Sequence, residues 1–207
     1  MTNPSPPWWT YIQHVPTDIR RYQAVFLDRD GVLNENRSDH VKDWSEFRFL
    51  PGSIDAVSRL TRAGVRVFVI TNQAVVNRGL VASSTIEDMH FRLRRVVAAH
   101  GGSIEDIAYC PHRPEEACSC RKPQPGLLLA LAEKHRLDLS RCVVVGDALA
   151  DIDAGRAAGC EAIMVMSGRG KEQHALGTAA GRDLDYRLVP DLATAATVLL
   201  QSEMVYV

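Results

Sequence analysis

Four short apolar runs constrain this chain more than any other feature. Residues 24–27 (Ala-Val-Phe-Leu), 65–70 (Val-Arg-Val-Phe-Val-Ile), 142–145 (Cys-Val-Val-Val) and 162–166 (Ala-Ile-Met-Val-Met) are nearly free of polar alternation. Runs of that length and character are strands buried on both faces. Helical spacing fills the intervals. Ile54, Val57, Leu60 and Ala63 share one face and end at Gly64; residues 152–158 end at Gly159. Ser84 and Glu87 fit a capping box for a helix running to His100, and further helices are predicted over 125–135 and 191–203. A short strand at 104–109 completes the pattern, and the first strand is placed at 22–27. Strands alternating with helices predict an α/β fold with a mostly parallel sheet and helices on both faces. At 207 residues the chain suits one such domain, assigned to 21–207, with no internal repeat. Residues 1–20 form an N-terminal arm in which Pro4, Pro6, Pro7 and Pro16 oppose regular structure. Trp8, Trp9 and Tyr11 predict that the arm lies against the body.

Polar chemistry then falls where this architecture puts a site, at the carboxyl ends of strands. The first run ends in Asp28-Arg29-Asp30-Gly31, two carboxylates one residue apart. The second ends in Thr71-Asn72-Gln73, and the run at 142–145 in Gly146-Asp147. Three strand ends carrying such groups point to one pocket.

The five cysteines divide unevenly. Cys110, Cys118 and Cys120 join His112 in an 11-residue window, a closed tetrahedral set suited to structural Zn²⁺. Its inferred role is to stiffen the loop that presents Arg121 and Lys122. Cys142 and Cys160 stand in apolar surroundings and are read as buried thiols. His14, His40, His90, His100, His135 and His174 lack such partners and are read as surface or capping residues. Gly168-Arg169-Gly170-Lys171 has the wrong spacing for a phosphate loop and is read as a loop that touches substrate.

Taken together, the motifs resemble the haloacid dehalogenase superfamily of phosphotransferases. Its pattern is Asp-x-Asp-Gly, then Thr or Ser, then Lys, then Gly-Asp-x-x-x-Asp; here these are Asp28 to Gly31, Thr71, Lys122, and Gly146-Asp147 with Asp151. Thr71-Asn72-Gln73, Cys110-Pro111-His112 and Cys118-Ser119-Cys120-Arg121-Lys122-Pro123 are similar to its subgroup of heptose bisphosphate and histidinol-phosphate phosphatases. The match covers residues 22 to about 166. The resemblance implies a Rossmann-like three-layer fold and a Mg²⁺-dependent phosphatase working through an aspartyl-phosphate. Asp28 would be the nucleophile and Asp30 the general acid and base, with a raised pKa for the acid role. Asp28, Asp147 and Asp30, the last through its backbone carbonyl, would hold Mg²⁺. Thr71 and Lys122 would stabilise the transferring phosphoryl group, and Asp151 would support the metal shell or orient Lys122. Ala148 departs from the family, some members of which carry a basic or hydroxyl residue there.

Only residues 31–70 separate Asp30 from Thr71, and 72–121 separate Thr71 from Lys122. The elements already assigned consume both intervals, so no cap domain is expected. Specificity then falls to residues 34–50, 72–78 and the zinc loop, with Asn72, Gln73, Arg78 and Arg121 as substrate contacts. Two arginines suit a second phosphate, favouring a sugar bisphosphate over a singly phosphorylated ester. Histidinol phosphate or another sugar phosphate is the alternative substrate, and a catalytically silent, zinc-ordered binding module the alternative class. With 24 Lys+Arg against 25 Asp+Glu, no basic excess suggests a nucleic-acid partner. No apolar run approaches a bilayer span, and a cytoplasmic monomer acting on a small phosphorylated metabolite is expected.

Overall fold

A computed structural model of the chain describes residues 22–201, apart from residue 183. The expected arm and the end of the last helix lie outside the described residues. Six parallel strands, β1 (Ala24–Leu27), β2 (Arg66–Asn72), β3 (Asp106–Cys110), β4 (Cys142–Gly146), β5 (Glu161–Val165) and β6 (Arg187–Val189), form one sheet in the order β3-β2-β1-β4-β5-β6. The apolar runs become strands because alternate side chains feed two cores. Val25 and Leu27 of β1 join one cluster, while Ala24 and Phe26 join the other. The first face is covered by α1 (Ser53–Arg62), α2 (Ser83–Ala99) and α6 (Leu192–Gln201), through Leu60, Leu93 and Leu199 among others. The second is covered by α3 (Gly126–His135) and α4 (Leu149–Ala157), through Leu128, Leu131 and Ala154. The fold is a Rossmann-like, three-layer α/β sandwich.

This order places the crevice. Chain progression reverses at β1, whose neighbours are β2 and β4, and ligands in open α/β sheets bind outside the strand ends at such a point. Leu27 pairs with Val145, and the Asp28 amide donates to Val145 O at 2.9 Å, so β1 and β4 end together.

Three sequence expectations differ from the fold. Ser84 is not the cap of α2: the helix begins at Ser83 after Ala82, with no side-chain cap bond. Residues 168–171 are not all loop, since α5 (Gly170–Ala179) starts within them. Strand β6 was not expected; only Val189 of its three residues is buried. The segment at 34–50 is irregular as expected, with a short 3-10 turn (Trp44–Glu46) and a bridge from Asn34 to Phe49. Among the described residues, no helix is long and apolar enough to cross a membrane.

Candidate active site

A cavity of about 580 Å³ opens at the β1/β4 reversal, lined by Asp28, Asp30, Thr71, Asn72, Arg121, Lys122 and Asp151, among others. Its floor is a buried cluster of charge. Lys122 is 4% exposed; its Nζ lies 2.9 Å from Asp28 Oδ1 and 2.5 Å from Asp151 Oδ1, and donates to Ile70 O at 2.8 Å. Asp151 thus sits directly against Lys122, one of the two places its expected roles require. Asp151 Oδ2 also accepts from the Ala148 amide at 3.0 Å, so its carboxylate is fully engaged. Asn72 clamps the lysine from behind: its Oδ1 accepts from Lys122 N at 3.1 Å and its Nδ2 donates to Lys122 O at 3.0 Å.

Asp147, wholly buried, comes in from β4. Its Oδ2 accepts from the Arg169 amide at 2.8 Å and from Asn36 at 3.4 Å, while its Oδ1 has no hydrogen-bond partner. Two glycines make room for this carboxylate. Gly31 and Gly168 both have positive φ (92° and 56°), and a Cβ on either would collide with Asp147 Oδ2. Asp28, Asp147 and Asp151 each present an oxygen within 4.8 Å of the others. Burial and repulsion by Asp151 and Asp147 push the Asp28 carboxyl up to about 7 against the opposing pull of Lys122. Burial and Asp151 push Asp147 up to about 6. Burial alone would favour neutral Lys122, but Asp151 and Asp28 outweigh it and hold the ammonium charged. An unpartnered buried oxygen beside crowded carboxylates fits a hard divalent cation such as Mg²⁺, with Asp28 and Asp147 as the available side-chain ligands.

Asp30 lines the same cavity with a different set of partners. Its oxygens accept from Arg29 Nη2 (3.1 and 2.9 Å), Asn34 Nδ2 (2.8 Å) and Gln73 Nε2 (2.8 Å). Burial raises its pKa, but Arg29 and these hydrogen bonds outweigh burial and leave it below the ordinary carboxylate range. The expectation of a raised pKa fails for this arrangement, because the sequence reading overlooked Arg29 as a partner. Gln73 also donates to Thr71 Oγ1 at 2.9 Å, a buried brace between two site residues. Arg78 stands one residue back, donating to His40 Nε2 at 3.0 Å, and it is His40 that lines the cavity.

At the end of β3, Cys110, His112, Cys118 and Cys120 converge, with neighbouring Sγ and Nδ1 atoms 3.3–3.5 Å apart. Three thiols and an imidazole at that spacing fit a tetrahedral Zn²⁺ site. Arg121 Nη1 donates to His112 O at 3.1 Å, tying the loop to the cavity wall. Cys142 and Cys160 are buried thiols as expected.

Asn36, Arg37 and His40 in the cavity wall fall in the 34–50 loop and Arg169 in the 168–171 segment, both expected to face substrate. Sequence reading singled none of them out as a contact and missed Gln173 altogether. The first four sit on irregular segments or just before α5, and Gln173 lies in α5, a helix that buries too little to leave a periodic trace. His40 is exposed as read, and His90 is a correction. The first lines the cavity, and the second is buried on α2 against Arg29.

A strand-end carboxylate pair, a buried lysine and a third strand-end carboxylate on this sheet define a phosphotransferase of the haloacid dehalogenase type. A HAD-hydrolase-like family model matches residues 119–195. The chain is 41% identical over 179 residues to the D-glycero-β-D-manno-heptose-1,7-bisphosphate 7-phosphatase of Pseudomonas aeruginosa, covering 86% of this chain and 97% of that one. A D-glycero-α-D-manno-heptose-1,7-bisphosphate 7-phosphatase of Mycobacterium bovis is 34% identical over 149 residues, covering 69% of this chain and 78% of that one. The crystal structure of a D,D-heptose 1,7-bisphosphate phosphatase from Bordetella bronchiseptica, complexed with magnesium and phosphate, superposes with a TM-score of 0.82. It is 39% identical, covering 87% of this chain and 99% of that chain. The chain belongs to the haloacid dehalogenase family of hydrolases, among its heptose bisphosphate phosphatases.

Proposed function

We propose that this protein removes the 7-phosphate of D-glycero-β-D-manno-heptose 1,7-bisphosphate through an aspartyl-phosphate on Asp28. The observation that carries the chemistry is the Lys122–Asp28 contact at 2.9 Å beside the unpartnered Asp147 oxygen. Similarity above 40% to a β-anomer phosphatase, against 34% for an α-anomer one, supports the anomer. Every residue placed in the site lies between 22 and 201, which supports residues 21–207 as the phosphatase domain.

Mg²⁺, held by Asp28, Asp147 and the Asp30 carbonyl, would offset the repulsion between carboxylate and phosphate dianion. Lys122 engages Asp28 Oδ1, which leaves Oδ2 to attack phosphorus. The bond from phosphorus to the sugar O7 breaks, and O7 takes a proton from Asp30, which, ionised at rest, would take that proton up from solvent beside the bound phosphate dianion. Lys122 and Thr71 hold the equatorial oxygens during transfer. Asp30, now ionised, takes a proton from water as that water attacks phosphorus, and Asp28 leaves as the free carboxylate. The resting network around Asp30 favours the ionised form, which suits this second half. Arg121 would bind the distal phosphate, with exposed Arg169 and Arg37 as further cations. Zn²⁺ at the four-ligand loop would be structural, since no position stays open for water.

The test is a panel of phosphate esters with Mg²⁺, comprising both heptose bisphosphate anomers, hexose monophosphates and histidinol phosphate. The β anomer should give the highest kcat/KM. Preference for histidinol phosphate would move the protein to the other branch of its subgroup.

A further inference from the structure

Arg29 is the largest fully buried side chain among the described residues, at 0% exposure. A guanidinium cannot shed its charge, so burying one is costly unless it is paired and hydrogen-bonded. Its partners are specific. Nη2 grips both oxygens of Asp30, Nη1 lies 3.3 Å from His90 Nε2, and the guanidinium carbon sits 5.7 Å from the Phe47 ring centroid. Arginine only donates, so His90 Nε2 must accept and its ring proton must sit on Nδ1. Burial first, and then the Arg29 charge, depress the His90 pKa to about 3, which keeps the ring neutral and able to accept. The imidazole is fixed in turn by an edge contact with Tyr109 of β3, 5.6 Å between centroids. The turn that follows uses the Arg29 backbone and not its side chain: the carbonyl accepts from the amides of residues 32–34.

We propose that Arg29 and His90 are positioning residues of the phosphatase reaction, a chain from α2 through a buried guanidinium that fixes the Asp30 carboxylate over the substrate. It rests on the assignment of Asp30 as the acid and base. Neither residue lines the cavity, so neither touches substrate. Their loss should therefore appear in the chemical steps and not in substrate binding. Asn34 and Gln73 each hold one Asp30 oxygen; only Arg29 spans both, which sets the tilt of the carboxylate plane. Misplacing a proton-transfer group by a fraction of an ångström to one ångström can cost up to about 100-fold.

The experiment uses the full chain with Mg²⁺. His90→Phe keeps the ring and its contact with Tyr109 but removes the acceptor; His90→Gln restores an acceptor. Arg29→Lys keeps the charge and loses the fork. For folded His90→Phe and Arg29→Lys, kcat should fall about 10- to 100-fold with KM and Mg²⁺ dependence unchanged, and His90→Gln should recover most of it. Adding His90→Phe to Asp30→Asn should cost nothing more. Wild-type kcat in His90→Phe beside an inactive Asp30→Asn would overturn the proposal. So would a loss confined to KM, or a loss in His90→Phe that His90→Gln does not recover. An active Asp30→Asn would instead remove the acid/base assignment beneath it.

Discussion

Asp28 carries two demands that conflict in the metal-free protein. It must ionise to attack, yet burial and neighbouring carboxylates raise its pKa to about 7 from 3.8. In the folded state Asp28 and Asp147 therefore hold protons that the unfolded chain releases near pH 4. By linkage, their contribution to stability is full below that pH and is lost as pH rises through about 6 and 7. Thermal unfolding without Mg²⁺ should thus show a Tm that declines from pH 5 to 8, and added Mg²⁺ should restore it by binding only the native state. Asp28→Asn should abolish turnover, by at least about 1,000-fold, because an amide cannot form the acyl phosphate. The same variant should unfold no earlier than wild type in the metal-free state at pH 7.5, since a crowded buried anion is gone and Lys122 keeps Asp151. A large drop in Tm would show that the cluster is held together chiefly by the Lys122–Asp28 pair. Gly168→Ala tests the space around Asp147: its Cβ would collide with the Asp147 carboxylate, so half-saturating Mg²⁺ should rise at least about tenfold. Activity titrated against Mg²⁺ measures this, and an unchanged titration would mean that Asp147 is not a ligand.

Elements explain both what could be read from the chain and what could not. Buried parallel strands show themselves as continuous apolar runs, and β1, β2, β4 and β5 were legible for that reason. Their ends carried Asp28, Thr71 and Asp147 with them, so most of the candidate site was legible as well. Strand β6 is three residues long with two exposed, and α5 buries only Gly170 and Gly177, so neither leaves a periodic trace. What sequence could not give was the pairing within the site. Gln73 and Arg78 were expected as substrate contacts from their place in the sequence; that one braces Asp30 and the other supports His40 depends on contacts across the fold. The zinc loop is the element whose role is easiest to isolate. Cys118→Ser should lose Zn²⁺, keep a folded core, and fall about 100-fold in kcat/KM because Arg121 and Lys122 shift. Mg²⁺ binding should survive better, because Asp28 and Asp147 sit on other strands. Elemental analysis beside kinetics decides it; full activity in zinc-free protein would contradict the role.

At the scale of the molecule, a sheet whose order reverses at β1 gathers three strand ends into one cavity. No cap domain interrupts residues 22–201, so the walls are loops: residues 36–41, the Arg169 turn and the zinc loop. Cations on those loops above a carboxylate floor suit a substrate with two phosphates, one to be cut and one to be held. The most direct test is ³¹P NMR of the protein with Mg²⁺ and D-glycero-β-D-manno-heptose 1,7-bisphosphate. The 7-phosphate resonance should give way to inorganic phosphate while the 1-phosphate persists; release from C1, or no release with Asp28 intact, would contradict the assignment.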